Sequence, residues 1–211
     1  MSFEQALYFL KKPWIIILYA IFVVLAYYFI DIPMATYFCQ LDLGVRFPAL
    51  NILTALGKWY VYIVLFLFLG LFFRYIRSNA VYEARAWYLL GCVFLANLLG
   101  LIVKVVVSRA RPDLLFSSHE FGFYWFKLSG NYWSFPSGHA ITSFSLFAGL
   151  GLLFPRFIYI LFVIAFLITG SRILLCRHYL SDVMTGLYFG MLTVGLFTEY
   201  LKKKNWFKKM M

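Results

Sequence analysis

Charged residues are scarce in this chain. They make up 13% of its 211 residues, and only 8 residues are acidic. Soluble domains carry about 25% charged residues, so the composition excludes an ordinary soluble fold. Apolar residues take their place, at 64% of the sequence with a mean hydropathy of +0.85. We therefore interpret the chain as a polytopic membrane protein.

Cysteine is also rare. The chain has only Cys39, Cys92 and Cys176, which show no CxxC or other metal-ligand spacing. Cys92 lies within an apolar run and is interpreted as a small hydrophobic residue. A disulfide between Cys39 and Cys176 requires that both face an oxidising compartment.

Six long apolar segments predict six transmembrane helices. Each is apolar on nearly all sides, whereas a surface helix of a soluble protein is apolar along one stripe. The predicted spans are residues 13–30, 59–73, 87–107, 140–154, 157–175 and 183–201. We expect an all-α six-helix bundle that forms a single domain over residues 1–211. The first apolar segment lacks a nearby cleavage site, so we expect it to remain as an anchor.

The net charge of +11 is better explained by membrane topology than by binding to nucleic acid. If both termini are cytoplasmic, most basic residues lie inside, as the positive-inside rule requires. The inside set is Lys11, Lys12, Arg74, Arg77, Arg85, Arg156, Lys202, Lys203, Lys204, Lys208 and Lys209. The outside set is Arg46, Lys58, Lys104, Arg109, Arg111, Lys127, Arg172 and Arg177.

Most of the outside set falls within or between three short polar segments. These are residues 104–112 (KVVVSRARP), 136–139 (PSGH) and 171–182 (SRILLCRHYLSD). With six spans and a cytoplasmic N-terminus, all three segments meet at the non-cytoplasmic face. Because ionisable residues are costly at a membrane, we interpret the three segments as one functional site.

The first segment places two cations seven residues apart, Lys104 and Arg111. A continuous helix brings them to nearly the same face, and Pro112 then ends that helix. Arg109 lies off this face and is interpreted as a cation that reaches for lipid head groups.

The other two segments add a helix start and two histidines. Ser137 is predicted to cap span 4, and Gly138 leaves the first amides of the helix open to an anion. His178 and Asp182 are four residues apart, so on a helix the carboxylate can orient the imidazole. An ordinary helix cap is the alternative interpretation of this pair. His119 has no partner at a useful spacing and is interpreted as a surface residue.

This set of side chains suits a phosphate group. Arginine side chains and oriented amides match phosphoryl oxygens and stabilise the charge that spreads over them during transfer. One histidine can attack phosphorus while the other protonates the leaving oxygen. The cluster contains only one acidic residue, so we expect neither a metal ion nor another cofactor.

In these residues the chain resembles the type 2 phosphatidic acid phosphatase superfamily, and in particular its bacterial membrane lipid phosphatases. All three signature motifs are matched in order and in internal spacing by residues 104–112, 136–139 and 171–182. The resemblance implies a metal-independent phosphatase with a haloperoxidase-like active site. It implies that His178 is the nucleophile that forms a phosphohistidine, that Asp182 orients it and that His139 protonates the leaving group. The phosphate-binding residues that it implies are Lys104, Arg111, Arg172, Ser137 and Gly138.

The resemblance also implies a membrane lipid phosphate as substrate, at the outer side of the cell (inner) membrane. Bacterial members act on phosphatidylglycerophosphate, undecaprenyl diphosphate, phosphatidate or the lipid A 1-phosphate. A lipid phosphotransferase that uses the same phosphohistidine is the alternative function. An anion channel or transporter is a remote one, since the charges cluster at one face.

The aromatic loop at residues 121–135 joins the first two segments. Its Trp125 and Trp133 suit the membrane interface, where aromatic rings lie at head-group depth. We expect this loop either to admit lipid substrate sideways or to form a plain aromatic belt.

Overall fold

The computed structural model describes residues 3–210, apart from the side chains of residues 208 and 209, and this part of the chain is helical without a strand. The helices are α1 (Phe3–Leu10), α2 (Pro13–Phe29), α3 (Asp31–Leu41), α4 (Leu43–Arg46), α5 (Ala49–Ala55), α6 (Trp59–Tyr75), α7 (Ala80–Val107), α8 (Pro112–Ser117), α9 (Gly138–Leu153), α10 (Ile158–Leu174) and α11 (Leu180–Lys203). Short 3-10 helices lie at Gly130–Tyr132, Pro155–Phe157 and Trp206–Met210.

The six predicted spans correspond to α2, α6, α7, α9, α10 and α11. By length and composition, three helices can cross a membrane: Ala80–Val107, Pro155–Leu174 and Leu180–Lys203. The number rises to five if two bent pairs each count as one span, α1 with α2 (76°) and α5 with α6 (48°). The prediction of an all-α, multi-pass membrane protein is confirmed, and the count of six includes the shorter apolar helix α9.

Helix α9 lies at the centre of the bundle, packed by α7, α10 and α11. Of its 16 residues, 11 are buried. Two glycines of α11, Gly186 and Gly190, form a GxxxG pattern that lets the two backbones approach closely. A Cβ at Gly186 would lie 2.7 Å from the carbonyl oxygen of Ser137, and one at Gly190 would lie 2.9 Å from that of Ile141. The starts of α9 and α11 are therefore held against each other.

Outer helices present large apolar side chains outward. Phe29 of α2, Phe68 of α6 and Tyr159 of α10 are all well exposed. So many exposed apolar side chains would favour aggregation in water, whereas they suit a hydrocarbon environment.

Basic residues of the predicted inside set gather at the end of the bundle opposite the polar segments. Lys11 pairs with Glu199, and the Lys202 Nζ lies 2.6 Å from a carboxylate oxygen of Glu4. Arg85 Nε donates to a backbone carbonyl of the C-terminal 3-10 helix at 2.9 Å. The side chains of Lys208 and Lys209 lie outside the described part. The separation of the two charged ends is as predicted; the assignment of this end to the cytoplasm stays a prediction.

Residues 31–55, which carry no predicted span, form the short helices α3, α4 and α5 at the polar end. A disulfide joins Cys39 of α3 to Cys176, with a Cα–Cα distance of 5.1 Å. Cys176 belongs to the third polar segment, so α3 is fastened to that segment. Cys92 is a free, buried cysteine of α7, as predicted.

Candidate active site

The three polar segments converge on one cavity of about 570 Å³. Six of the eight predicted site residues line it: Lys104, Arg111, Gly138, His139, Arg172 and His178. The other two, Ser137 and Asp182, are fully buried beside it. Span order had predicted this convergence, since the four relevant helix ends share one end of the bundle.

The first segment reaches the cavity in a way that the sequence did not predict. Helix α7 ends at Val107, because Ser108 adopts a left-handed conformation with φ of +44°. Pro112 is the first residue of α8 and does not end α7. The prediction that a continuous helix aligns Lys104 with Arg111 is therefore wrong, although both side chains line the cavity.

Lys104 fastens the first segment to the second. Its Nζ donates to the carbonyl oxygen of Trp133 at 3.0 Å and also to that of Pro136. The Arg111 amide donates to the carbonyl oxygen of Asn131 at 2.9 Å. These bonds fold the loop at residues 121–135 back over the end of α7.

Arg109 is not a head-group cation, and that interpretation was wrong. Its side chain is completely buried and does not line the cavity. Nη1 donates to Asp182 Oδ1 at 2.6 Å, and Nη2 donates to Asp31 Oδ2 at 2.8 Å. Four rings surround the guanidinium within 5.5 Å of its carbon, those of Tyr27, Phe121, Phe123 and Tyr179. The available sequence signal was Asp31, an acid directly after the first predicted span.

The second segment begins α9 as predicted, with Ser137 at the N-cap position. Its hydroxyl makes no capping bond, and among the described residues this buried Oγ has no hydrogen-bond partner. Its amide donates to the carbonyl oxygen of Asp182 at 3.0 Å. Ser137 thus offers the cavity region a hydroxyl, since its amide is already used. The ring of His139 packs on Gly57, where a Cβ would lie 2.5 Å from Cδ2.

Of His178 and Asp182 only Asp182 is helical, because α11 begins at Leu180 and His178 precedes it. Asp182 forms a capping box with Tyr179, whose amide donates to Oδ2 at 3.0 Å. The same Oδ2 lies 3.6 Å from His178 Nδ1. Ser134 Oγ donates to this oxygen at 2.5 Å and lies 3.5 Å from Nδ1. Asp182 therefore caps the helix and also faces the imidazole, although His178 does not share the helix. That the carboxylate orients a catalytic histidine stays a prediction.

The His178 ring is suited to nucleophilic attack. It lies in the loop between α10 and α11, where burial, with help from the nearby positive charges of Arg172 and Lys104, lowers its pKa to about 3. The ring is consequently neutral near pH 7. Since Nδ1 faces Asp182, the free nitrogen is Nε2.

Unused donors surround the cavity. Arg172 Nη1 donates to Thr54 Oγ1 at 2.8 Å. The Nε atoms of Arg111 and Arg172 are buried, and neither has a partner within the described part of the chain. Buried donors of this kind are normally satisfied, so the arrangement is complementary to an anion. Lys58 adds a further cation to the cavity wall from outside the three segments.

One wall of the cavity is apolar and reaches the lipid-facing surface. It is built by α6 and α7, and its large apolar side chains are 42–50% exposed. These side chains are Trp59, Tyr60, Phe94, Leu98 and Leu101. Trp133 of the aromatic loop also lines the cavity, whereas Trp125 lies outside it and is exposed.

The described residues contain no group of three or more His, Cys, Asp or Glu side chains that could hold a metal ion.

Comparison with known proteins gives concordant matches. The model of the PAP2 superfamily matches residues 85–206. Lipid A 1-phosphatases of Rhizobium etli and Rhizobium johnstonii are each 37% identical over 117 residues, or 54% of this chain. The match covers 50% and 48% of those proteins, so the chain spans about half the length of the curated relatives it matches. The crystal structure of a transmembrane PAP2 type phosphatidylglycerolphosphate phosphatase from Bacillus subtilis is 18% identical, with a TM-score of 0.46 over 96% of this chain and 92% of that one.

Proposed function

Because the chain belongs to the PAP2 superfamily, we propose that it is an integral membrane phosphatase that hydrolyses the phosphate of a membrane lipid through a phosphohistidine. One observation carries the proposal. A single cavity is lined by two histidines and three cations of the polar segments on one side, and by apolar side chains exposed at the lipid-facing surface on the other. Such a cavity suits a ligand with a phosphate head and an acyl or prenyl tail.

In the first chemical step, Nε2 of His178 attacks phosphorus as the bond from phosphorus to the lipid oxygen breaks. Asp182 faces the Nδ1 side of the ring and stabilises the positive charge that develops there. His139, on the same cavity wall, donates a proton to the departing lipid oxygen. Lys104, Arg111 and Arg172 hold the phosphoryl oxygens, with Gly138 and the Ser137 hydroxyl at the start of α9.

In the second step, water attacks the phosphohistidine and the N–P bond breaks. His139 accepts a proton from this water, because it gave up its own in the first step. Inorganic phosphate and the neutral His178 are regenerated. A metal ion takes no part in this scheme, since the cations of the cavity supply the charge that phosphoryl transfer needs.

For the substrate we propose a lipid A-type glycosyl 1-phosphate. The names of the two Rhizobium relatives support this choice among the candidate lipids. We further propose that the cavity faces the non-cytoplasmic side and that lipid enters between α6 and α7, where the apolar wall meets the lipid-facing surface.

The test is phosphate release by the purified protein in detergent containing EDTA. The panel is a lipid A precursor, phosphatidate, phosphatidylglycerophosphate and undecaprenyl diphosphate. We expect the highest kcat/KM for the lipid A precursor and loss of turnover in His178→Asn. The matched control is His119→Asn, an exposed residue with φ of +57°, a conformation that Asn tolerates.

Each element of the proposal has its own contrary result. Inactivation by EDTA alone would contradict the metal-free scheme. Turnover by His178→Asn would show that His178 is not the nucleophile. Transfer of the phosphoryl group to an added second lipid, without release of inorganic phosphate, would identify a phosphotransferase. His139→Ala should still form phosphoenzyme from an aryl phosphate, because that leaving group needs no proton.

A further inference from the structure

Two members of the fully buried ion cluster behind the cavity, Asp31 and Arg109, have no role in the scheme above. The cluster joins Asp31 of α3, Arg109 of the loop after α7, and Asp182 of α11, all with 0% side-chain exposure. Ser181 completes it: its amide donates to Asp31 Oδ1 at 3.0 Å, its hydroxyl donates to Asp31 Oδ2, and it accepts from Arg109 Nη1 at 2.7 Å. Arg109 is the centre, with one nitrogen on each carboxylate.

The cluster fixes how Asp182 presents its carboxylate. Arg109 holds Oδ1 at 2.6 Å, and Oδ2 is left to face His178. This charge-assisted bond to Oδ1, together with the bonds from the Tyr179 amide and Ser134 Oγ to Oδ2, confines the carboxylate to one orientation. The ring of Tyr179 stacks on the guanidinium at 4.2 Å, so the residue next to His178 is held by the same cation.

Asp31 also determines the charge behind His178. A pair of Arg109 and Asp182 alone would be neutral and would do little to stabilise a cationic imidazole. Adding Asp31 gives two carboxylates and one guanidinium, a net charge of −1. Without water to screen it, this charge stabilises the developing positive charge of the ring, which Asp182 Oδ2 faces at 3.6 Å.

We propose that Asp31 and Arg109 are positioning residues of the active site, which orient Asp182 and supply the negative charge that His178 needs when it takes up phosphate. The proposal rests on the phosphatase function proposed above. Asp31 lies outside residues 85–206, the part matched by the family model. This unit therefore recruits α3, a segment beyond the matched part, into the reaction centre.

The central test is Asp31→Asn, which keeps the shape and removes the charge. We expect kcat to fall about tenfold or more, the usual cost of removing a group that orients a reacting side chain. The inhibition constant of inorganic phosphate should stay unchanged, because Lys104, Arg111 and Arg172 are untouched. Asp42→Asn is the matched control, an exposed aspartate between α3 and α4 with φ of +45°.

A double-mutant cycle separates positioning from stability. If Asp31 acts through Asp182, then Asp31→Asn lowers the residual kcat of an Asp182→Asn enzyme little or not at all. The same fold loss in both backgrounds would overturn the proposal, because a purely structural defect is additive. Wild-type kcat in Asp31→Asn would also overturn it.

A second variant keeps the test of the positioning role decisive. If Asp31→Asn is not recovered as folded protein, Arg109→Lys replaces it, since lysine keeps the charge but cannot bridge two carboxylates as a fork. We expect a loss of kcat there too, and full activity would refute the positioning role. An inactive wild type or an active His178→Asn enzyme would defeat the phosphatase proposal itself, whereas an inactive His178→Asn beside a fully active Asp31→Asn would defeat only this inference.

Discussion

Replacing Gly186 by alanine should separate the two halves of the active site by a small, calculable distance. The new Cβ would lie 2.7 Å from the carbonyl oxygen of Ser137, whereas ordinary contacts begin at 3.4 Å. The backbone at the start of α9 must therefore move by about 0.7 Å, the difference between these two values. That movement displaces Gly138 and His139 relative to His178.

We expect two consequences of different size. Overpacking of this kind costs roughly 1–3 kcal/mol of stability. Misplacement of reacting groups by about 1 Å can cost roughly 100-fold in rate, so kcat should fall about 10-fold to 100-fold while the protein still folds. The assay is kcat for phosphate release from the detergent-solubilised lipid A precursor, with thermal unfolding measured on the same samples.

The chain offers two matched controls for Gly186→Ala. At Gly170 of α10 an added Cβ meets nothing within 4 Å, so Gly170→Ala should be neutral or slightly stabilising. At Gly190 the Cβ meets the Ile141 carbonyl oxygen at 2.9 Å, one turn farther along α11 from Asp182. Gly190→Ala should therefore lose comparable stability but less activity. A Gly186→Ala enzyme with the kcat and unfolding temperature of Gly170→Ala would refute the reasoning.

Three further predictions concern the polar end. Reducing the disulfide, or replacing Cys39 by serine, should remove about 2–4 kcal/mol of stability. It should also lower kcat, because Cys176 lies two residues before His178. Equal unfolding temperatures of the oxidised and reduced protein would contradict this prediction. Thr54→Val should raise KM about fivefold, because it removes the hydrogen bond that holds Nη1 of Arg172, which is worth about 1 kcal/mol. A change in kcat alone would indicate that Thr54 has another role. Trp133→Ala should raise KM for a long-chain lipid more than for a short-chain one, and equal KM changes would exclude this side chain from tail recognition.

Much of the fold followed from hydrophobic segments alone. Spans at residues 13–30 and 157–175 match α2 and α10 closely, since helix length in a bilayer is set by the thickness of the hydrocarbon core. The short helices at residues 31–55 could not be predicted in the same way. They are held by contacts distant in sequence, above all the disulfide from Cys39 to Cys176.

The site was predicted best where residues of one motif face one cavity. Lys104 and Arg111 both line it, but through a left-handed turn at Ser108, a conformation that no local sequence pattern indicated. The partners of Asp182 were missed for a related reason. Arg109 and Ser134 lie far from it in sequence, and only the folded chain brings them together.

The central position of α9 has a consequence for biosynthesis. Its 16 residues span about 24 Å, less than the roughly 30 Å of a bilayer core. It also carries the hydroxyls of Thr142, Ser143 and Ser145, so it is a poor membrane anchor until other helices enclose it. Two of its enclosing helices, α10 and α11, are synthesised after it. A nascent or truncated chain without them therefore cannot assemble the cavity, because α10 and α11 carry Arg172 and Asp182 and flank His178.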